Sequence, residues 1–178
     1  SVLRQLHKLG IRNTVMMTGD SYRTAEAIAR QVGVDQFFAE VLPEDKANFV
    51  QKAKAEGHTV VMIGDGINDS PALSAADIGI AINSGAAIAR EIADVTIKAD
   101  SLEELVTLKT IANALQHRVS SNYRFVLSFN STLIALGALG ILQPAASAML
   151  HNLSTIGISL RSMTNLIQKP SSAPQLEG

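Results

Sequence analysis

The chain has 178 residues, a formal net charge of −1 and no cysteine. This length suffices for one domain of ordinary size and a further short segment. The near-neutral charge gives no general indication of nucleic-acid binding. The absence of cysteine excludes disulfides and thiolate metal sites within these residues. No signal peptide is expected, because residues 1–10 are charged and lack an apolar core.

Short apolar segments alternate with segments of helical periodicity along the first two thirds of the chain. We predict strands over 14–17, 37–41, 59–63, 78–82 and 95–97, and helices over 21–32, 43–56, 70–76, 86–92 and from 101 toward 123. Pro43 is expected to begin a helix, whereas Gly33 and Gly57 are expected to end one. This alternation is typical of a doubly wound parallel α/β sheet, whose functional residues lie beyond the carboxyl ends of the strands.

The third predicted strand, Thr59–Ile63, is a continuous β-branched and apolar run. Such runs are typical of a parallel strand that is buried on both faces. We therefore expect both faces of this strand to be covered by other elements.

A long uncharged stretch follows the α/β pattern. No Asp, Glu, Lys or Arg occurs from Phe125 to Leu160, nearly twice the roughly 18–20 residues that one membrane-spanning helix needs. Gln143-Pro144 lies in the middle, where a turn is expected, and basic residues flank the run: Arg118, Arg124, Arg161 and Lys169. The pattern predicts a transmembrane hairpin with both ends on the cytoplasmic side; a buried helix pair of a soluble protein is the alternative.

The string GDGINDSPAL comes directly after the third predicted strand. Its two carboxylates, Asp65 and Asp69, are four residues apart and suit a hard cation such as Mg²⁺. Gly64 and Gly66 on either side of Asp65 allow the backbone to approach a ligand closely, and Asn68 can donate to a phosphoryl oxygen. Taken alone, the string also fits an ordinary polar turn.

Two further motifs supply groups that suit a phosphate. Thr18, Gly19 and Asp20 follow the first predicted strand, where a hydroxyl and a free backbone N–H can donate to phosphate oxygens. Lys46 lies just inside the helix that Pro43 begins and can supply positive charge to a phosphoryl group. Each motif alone is weak, since such triplets and surface lysines are common.

The order Thr18, Lys46, Asp65, Asp69 resembles the second, third and fourth motifs of the haloacid dehalogenase-like superfamily. The strings MMTGD, PEDK, GDGINDSPALSAADIGIA and EIADVTI resemble the phosphorylation domain of P-type ATPases. SSNYRFVLSFN and LHNLSTIGISL resemble the last two helices of the heavy-metal (type IB) subgroup. This resemblance implies the C-terminal part of a phosphorylation domain over 1–120, two transmembrane helices over 121–168 and a disordered tail over 169–178.

In that family ATP phosphorylates an aspartate, and the phosphoenzyme drives a metal ion across the membrane. The resemblance implies that Thr18 hydrogen-bonds the aspartyl phosphate and that Lys46 neutralises its charge. It also implies that Asp65 is a Mg²⁺ ligand and that Asn68 and Asp69 complete the surroundings of the phosphate and the metal ion. Gly19 and Asp20 belong to the same catalytic group through the motif that they share with Thr18.

The phosphorylated aspartate of the family lies in a DKTGT string, which this sequence lacks. We expect it upstream in the same polypeptide, together with the actuator domain, the nucleotide-binding domain that holds most of the ATP, and earlier membrane helices. The chain alone is therefore expected neither to hydrolyse ATP nor to transport. The resemblance also implies a bacterial plasma membrane, with the phosphorylation domain in the cytoplasm and lipid around the hairpin.

Polar residues in the predicted hairpin are candidates for the transported ion. Asn130 lies in its first helix, and His151 and Ser154 lie in its second. Copper(I) transporters of the family carry Tyr-Asn where this chain has Phe129-Asn130, and methionine in place of His151. Imidazole suits Zn, Co, Ni, Fe or Cu(II) better than Cu(I). The alternative is that His151 only forms a hydrogen bond between the helices.

Two other functions share part of these features. A soluble phosphatase of the same superfamily would contain Thr18, Lys46, Asp65 and Asp69 but would not need the uncharged run. A catalytically inactive, membrane-anchored binding module would need the hairpin but no Mg²⁺ or phosphate site. Only an ATP-driven metal transporter accounts for both halves of the sequence.

Overall fold

The computed structural model of the chain describes residues 2–64, 67–82, 91–97 and 102–166. The chain divides into two compact units, unit 1 over Ser1–Thr107 and unit 2 over Leu108–Gly178. One helix, Glu103–Ala138, has residues in both units. The predicted domain boundary after residue 120 stays a prediction.

Unit 1 consists of short parallel strands connected by helices. The elements are α1 (Val2–Lys8), β1 (Val15–Met17), α2 (Tyr22–Val32), β2 (Gln36–Phe38), α3 (Pro43–Ala55), β3 (Val61–Gly64), a 3₁₀ helix (Ile67–Asp69), α4 (Ser70–Ala75), β4 (Ile78–Ile82) and β5 (Val95–Ile97). All five predicted strands are confirmed, with ends shifted by up to three residues. The first helix was not predicted, and the helix predicted over 86–92 lies mostly outside the described residues.

The strands pair in parallel and form two sheets among the described residues. One sheet contains β1 and β2, with Met16 opposite Phe37, and the other has the order β3-β4-β5, with Met62 opposite Gly79. The predicted parallel α/β class is therefore confirmed, but the described strands form two sheets rather than the single sheet that was expected. In the part that the structure describes, β3 pairs with β4 alone.

β3 is buried on one face rather than on both. Met62 is 9% exposed, but Val61 and Ile63 are 40% and 38% exposed. The prediction of burial on both faces is wrong for the described residues, because α3 and α4 pack against the face that carries Met62 and the opposite face, with Val61 and Ile63, is left largely uncovered. These two side chains form apolar surface on that face.

The core of unit 1 holds the ends of several elements together. Val50 of α3 and Leu73 of α4 are 1% and 2% exposed and pack with Met62 of β3. Met17, the last residue of β1, packs against the same cluster. Burial of such side chains contributes roughly 1.5–3 kcal/mol each, so the loops that follow β1 and β3 are attached to one rigid centre.

Gly33 ends α2 as predicted. It adopts a left-handed conformation with φ of 83°, and its N–H donates to the carbonyl of Ala29 at 2.8 Å. A side chain at this position would be strained, because residues with a Cβ rarely adopt this conformation.

Asp35 is held by Thr14 at the start of the first sheet. The backbone N–H and the hydroxyl of Thr14 both donate to Oδ2 of Asp35 at 2.7 Å, and the ring of His7 lies 3.3 Å from the same oxygen. The hydrogen bond from the Thr14 hydroxyl is the largest cause that lowers the pKa of Asp35, and the bond from the Thr14 N–H is the second. Both stabilise the ionised carboxylate.

A group whose pKa is lower in the folded state stabilises the fold above its unfolded pKa, about 3.9 for Asp. That stabilisation is lost as the pH falls through the folded pKa. We expect Thr14→Val to reduce the hydrogen-exchange protection of residues 14–36 at neutral pH. The further decrease in protection as the pH falls toward 3 should be smaller in this variant than in wild type. Protection factors, corrected for intrinsic exchange and measured in the full-length protein, check this. Thr24→Val, at an exposed position of α2 whose hydroxyl contacts Ser21 and not Asp35, should keep the wild-type acid dependence. An unchanged acid dependence in Thr14→Val would contradict the prediction.

Unit 2 is a helical hairpin. Its helices are α5 (Glu103–Ala138) and α6 (Pro144–Ser162), so the turn predicted at Gln143-Pro144 is confirmed. Among the residues that the structure describes, no helix is both long enough and apolar enough to cross a membrane. The predicted hairpin is thus present, and its transmembrane character is not shown.

Arg118 joins the two helices at the end of α6. Its guanidinium donates to the backbone carbonyls of Ser162, Thr164 and Asn165 at 3.3, 2.5 and 3.2 Å. Asn122, one turn further along α5, donates from its amide nitrogen to the hydroxyl of Ser162 at 2.9 Å. The last carbonyls of a helix have no partner within the helix, so Arg118 satisfies the carbonyl of Ser162 at the end of α6 and also holds the segment that follows it. The sequence indicated only a basic flanking residue here.

Candidate functional site

Lys46 and Asp69, which come from separate motifs, form an ion pair. Lys46 Nζ donates to Asp69 Oδ1 at 2.7 Å, and the two side chains are only 14% and 13% exposed. The structure therefore brings together two of the predicted site residues across 23 positions of sequence. Because the pair is largely withdrawn from water, its attraction is stronger than that of a surface pair, and the loss of either partner is costly.

The fold places both partners through the core. Pro43 at the first turn begins α3, and Ala47 and Val50 of that helix pack into the core cluster. Lys46 precedes Ala47 directly and lies four positions before Val50, so it shares the face that packs inward. Asp69 is the residue before α4, whose Leu73 packs in the same cluster.

Gly64 is required by the position of Asp69. A Cβ at residue 64 would lie 2.6 Å from Cβ, 3.1 Å from Cγ and 2.9 Å from Oδ2 of Asp69. Such distances are too short for any side chain. The sequence indicated that this glycine lets the backbone approach a ligand; the structure gives it a different role, which is to let Asp69 fold back over the end of β3.

Thr18 and Asp20 form a closed pair in the loop after β1. The Thr18 hydroxyl donates to Asp20 Oδ2 at 2.9 Å and accepts from the Asp20 N–H at 3.1 Å. The loop is fixed by backbone bonds from Thr18 N–H to the carbonyl of Phe38 and from Val41 N–H to the carbonyl of Thr18, both 3.0 Å. The hydroxyl hydrogen of Thr18 is therefore used by Asp20 in this conformation.

Gly19 is not sterically required here. A Cβ at this position would lie 3.7 Å from the carbonyl oxygen of Val41, an ordinary contact. Its role as a backbone donor stays a prediction.

The other residues of the predicted phosphate site differ in how far they are described. Asn68 is exposed in the 3₁₀ helix, as a residue that contacts a ligand needs to be. Asp65 and its neighbour Gly66 lie outside the described residues, so the proposed Mg²⁺ ligand Asp65 stays a prediction.

Two polar residues were missed by the sequence. The hydroxyl oxygen of Ser70, next to Asp69, is buried and has no hydrogen-bond partner within the described part of the chain. Asp94 accepts the N–H of Gly79 at 2.8 Å and so ties the start of β4 to the segment before β5. Both lie inside strings that carried the family resemblance, but residue type alone gave neither a role.

In unit 2 the structure brings Asn130 and His151 together. His151 Nδ1 lies 3.0 Å from Asn130 Oδ1. The hydroxyls of Ser154 and Thr155 donate to the backbone carbonyl of His151 at 2.7 and 3.0 Å. The hydrogen bond between the helices, which was the alternative reading of His151, is thus present, and it does not exclude a ligand role for the ring's other nitrogen.

Carboxylate and imidazole clusters are sparse in the described structure. Over residues 2–64, 67–82, 91–97 and 102–166, no group of three or more His, Asp or Glu side chains is arranged to hold a metal ion. Asp69 has one carboxylate oxygen on Lys46 and so leaves the other for a cation. An oxygen donor of this kind fits Mg²⁺, but it needs further ligands.

The chain is similar in sequence to known hydrolases and transporters. The haloacid dehalogenase-like hydrolase family matches residues 1–77. The manganese-exporting P-type ATPase of Mycobacterium leprae is 40% identical over 158 residues, which are 88% of this chain and 22% of that protein. The probable copper-importing P-type ATPase A of Enterococcus hirae is 40% identical over 164 residues, 91% of this chain and 22% of that protein. The chain belongs to the heavy-metal P-type ATPase family.

A solved heavy-metal P-type ATPase has the same fold over most of this chain. The crystal structure of a zinc-transporting PIB-type ATPase in the E2.Pi state matches with a TM-score of 0.83 and 33% identity, over 91% of this chain and 26% of that one. The chain spans about a fifth of the length of the curated heavy-metal P-type ATPases that it matches. Because the matches extend over both units, they disfavour the soluble phosphatase alternative.

Proposed function

We propose that this chain provides phosphate-binding groups and part of the ion pathway of an ATP-driven heavy-metal transporter. The observation that supports this most strongly is the shielded Lys46–Asp69 pair, which sets a cation beside the end of β3. A cation fixed in a poorly solvated site stabilises the charge that develops on a transferred phosphoryl group. No step of this kind requires a covalent role for the chain's own residues.

Phosphoryl transfer depends mainly on positioning and charge stabilisation, and the proposed roles follow from that. Lys46 interacts with the phosphoryl oxygens, and Asp69 fixes the position of Lys46. Thr18 exchanges its bond to Asp20 for one to a phosphate oxygen. Asp65 and the free oxygen of Asp69 would hold Mg²⁺, which neutralises phosphoryl charge when bound.

The phosphorylated aspartate is proposed to come from another part of the polypeptide. In the described part of unit 1, β1 pairs only with β2 and β3 only with β4, so each has an edge open to a further strand. The exposed Val61 and Ile63 of β3 leave apolar surface for other segments to cover. An added strand at these edges would place its carboxyl end beside Thr18 and Asp69. The actuator domain belongs to the same proposal, as does the nucleotide-binding domain, which makes most of the contacts with ATP.

Unit 2 is proposed to lie in the membrane and to contact the transported ion. The support is the uncharged run from Phe125 to Leu160, the match of most of the chain to a zinc-transporting PIB-type ATPase, and the Asn130–His151 pair within the run. The two relatives are named as a manganese exporter and a probable copper importer, so family membership leaves the ion open. The imidazole of His151 favours a divalent transition metal over Cu(I).

The test is metal-stimulated ATP hydrolysis by the full-length protein, measured with Zn, Co, Ni, Fe, Mn and both oxidation states of Cu. We expect one divalent ion to stimulate hydrolysis most and His151→Ala to remove that stimulation. His58→Ala, an exposed histidine of unit 1, serves as the control and should behave as wild type. Best stimulation by Cu(I), or a His151→Ala variant with full stimulation, would contradict the ion assignment. No stimulation by any ion would contradict the proposed function.

A further inference from the structure

The bond between Asn130 and His151 fixes which ring nitrogen carries hydrogen. An amide oxygen only accepts hydrogen bonds, and it is Oδ1 of Asn130 that lies 3.0 Å from His151 Nδ1. Nδ1 must therefore donate. In a neutral imidazole the second nitrogen, Nε2, then carries the lone pair. Among the described residues, Nε2 of His151 has no hydrogen-bond partner.

We propose that Asn130 is a positioning residue and not a ligand: it holds His151 in the tautomer that presents Nε2 to the transported ion. Histidines that bind metals commonly donate their other ring N–H to an oxygen, which fixes the ring and increases the basicity of the ligating nitrogen. Asn130 supplies that oxygen from the opposite helix of the hairpin. The inference rests on the proposed transport function of unit 2.

The hydroxyls beside His151 support the same division of roles. Ser154 and Thr155 each donate their hydrogen to the backbone carbonyl of His151. These bonds fix the helix backbone at His151, whereas Asn130 fixes the ring. Of the three residues that the sequence grouped as ligands, Asn130, His151 and Ser154, only His151 has a nitrogen lone pair left open. The chain thus contributes one strong ligand, and the rest come from elsewhere in the polypeptide.

The experiment separates metal binding from turnover. Full-length protein without ATP is titrated with Zn²⁺ and Co²⁺, and X-ray absorption on the bound ion counts imidazole and oxygen ligands. The site of interest is the one at which His151→Ala abolishes metal binding. For Asn130→Ala we expect the same ligand count, with affinity weaker by roughly 10- to 100-fold. Asn130→Asp, whose carboxylate accepts the same Nδ1–H, should bind within a few fold of wild type.

Asn152→Ala is the matched control, because Asn152 neighbours His151 on α6 and is exposed; it should bind as wild type. The thermal unfolding midpoint of each variant shows that it is folded. Loss of an oxygen ligand in Asn130→Ala would show that Asn130 is a ligand, and wild-type affinity in that variant would show that it positions nothing. Failure of Asn130→Asp to bind the metal ion would show that Asn130 donates the hydrogen bond and His151 accepts it. Each of these results would overturn the inference about Asn130. The proposed function would still stand if the wild-type protein shows metal-stimulated ATP hydrolysis. Absence of any binding that depends on His151, together with absence of stimulated hydrolysis, would overturn the proposed function as well.

Discussion

Lys46→Met in the full-length protein is expected to lower metal-stimulated ATP hydrolysis by roughly 100- to 1,000-fold, the effect of removing one preorganised charge-stabilising group. Methionine keeps the unbranched apolar stem and removes the charge. Two effects act together: the phosphoryl group loses a cation, and Asp69 loses its only described partner in a site where both side chains are mostly shielded from water. The loss should appear in kcat more than in the metal concentration that gives half-maximal stimulation, because Lys46 is remote in sequence from the candidate ion ligands.

Lys52→Met provides the matched control, because Lys52 lies on the same helix and is exposed; its activity should stay within about twofold of wild type. The double variant Lys46→Met/Asp69→Asn separates the two effects. It should recover thermal stability, because the unpaired carboxylate is gone, and it should stay inactive. Activity near wild type in Lys46→Met would remove Lys46 from the phosphate site. Recovery of activity in the double variant would show that Lys46 serves only to neutralise Asp69.

Gly64→Ala is expected to lower both stability and ATP hydrolysis, although it adds only a methyl group. The new Cβ would lie 2.6 Å from Cβ of Asp69, so either β3 or Asp69 has to move. Overpacking of this kind costs roughly 1–3 kcal/mol, and a shift of Asp69 also breaks the 2.7 Å bond to Lys46. We expect a lower thermal unfolding midpoint and at least a tenfold loss of ATP hydrolysis in the full-length protein, a 1.4 kcal/mol effect on the barrier.

Gly137→Ala is the control, because a Cβ there meets nothing within 4 Å and alanine favours a helix. It should leave stability and hydrolysis unchanged or slightly increased. A Gly64→Ala variant that is as stable and active as wild type would show that Asp69 does not occupy its position over β3 in the working protein.

The strands and helices of unit 1 could largely be predicted from the sequence, because each has a local cause. Gly33 ends α2 through its left-handed conformation, Pro43 begins α3 at a position where its missing N–H costs nothing, and the β-branched run yields β3. The burial of β3 could not be predicted. It depends on which elements pack on each face of the sheet, and no local pattern in this sequence indicates that the face with Val61 and Ile63 stays exposed among the described residues.

The candidate site could likewise be predicted only in part from the sequence. Motif order assigned Lys46 and Asp69 to one phosphate site, and the structure shows an ion pair between them; their catalytic roles stay predictions. The motif did not reveal that Gly64 makes room for Asp69 or that Asp20 holds the hydroxyl of Thr18, because both depend on side-chain distances after folding. In the hairpin, spacing identified Asn130 and His151 as candidates, but only the atoms that meet, Oδ1 and Nδ1, distinguish a positioning residue from a ligand.

The most direct test of the account is the formation of an aspartyl phosphate by the full-length protein. The protein is mixed with ATP labelled at the γ-phosphate and a stimulating transition metal, quenched in acid, and divided between buffer and hydroxylamine, which cleaves acyl phosphates. We predict a metal-dependent label that hydroxylamine removes and that Lys46→Met strongly diminishes while Lys52→Met does not. Metal-stimulated hydrolysis without any hydroxylamine-sensitive label would contradict the account, since Thr18, Lys46 and Asp69 would then not surround a phosphorylated aspartate.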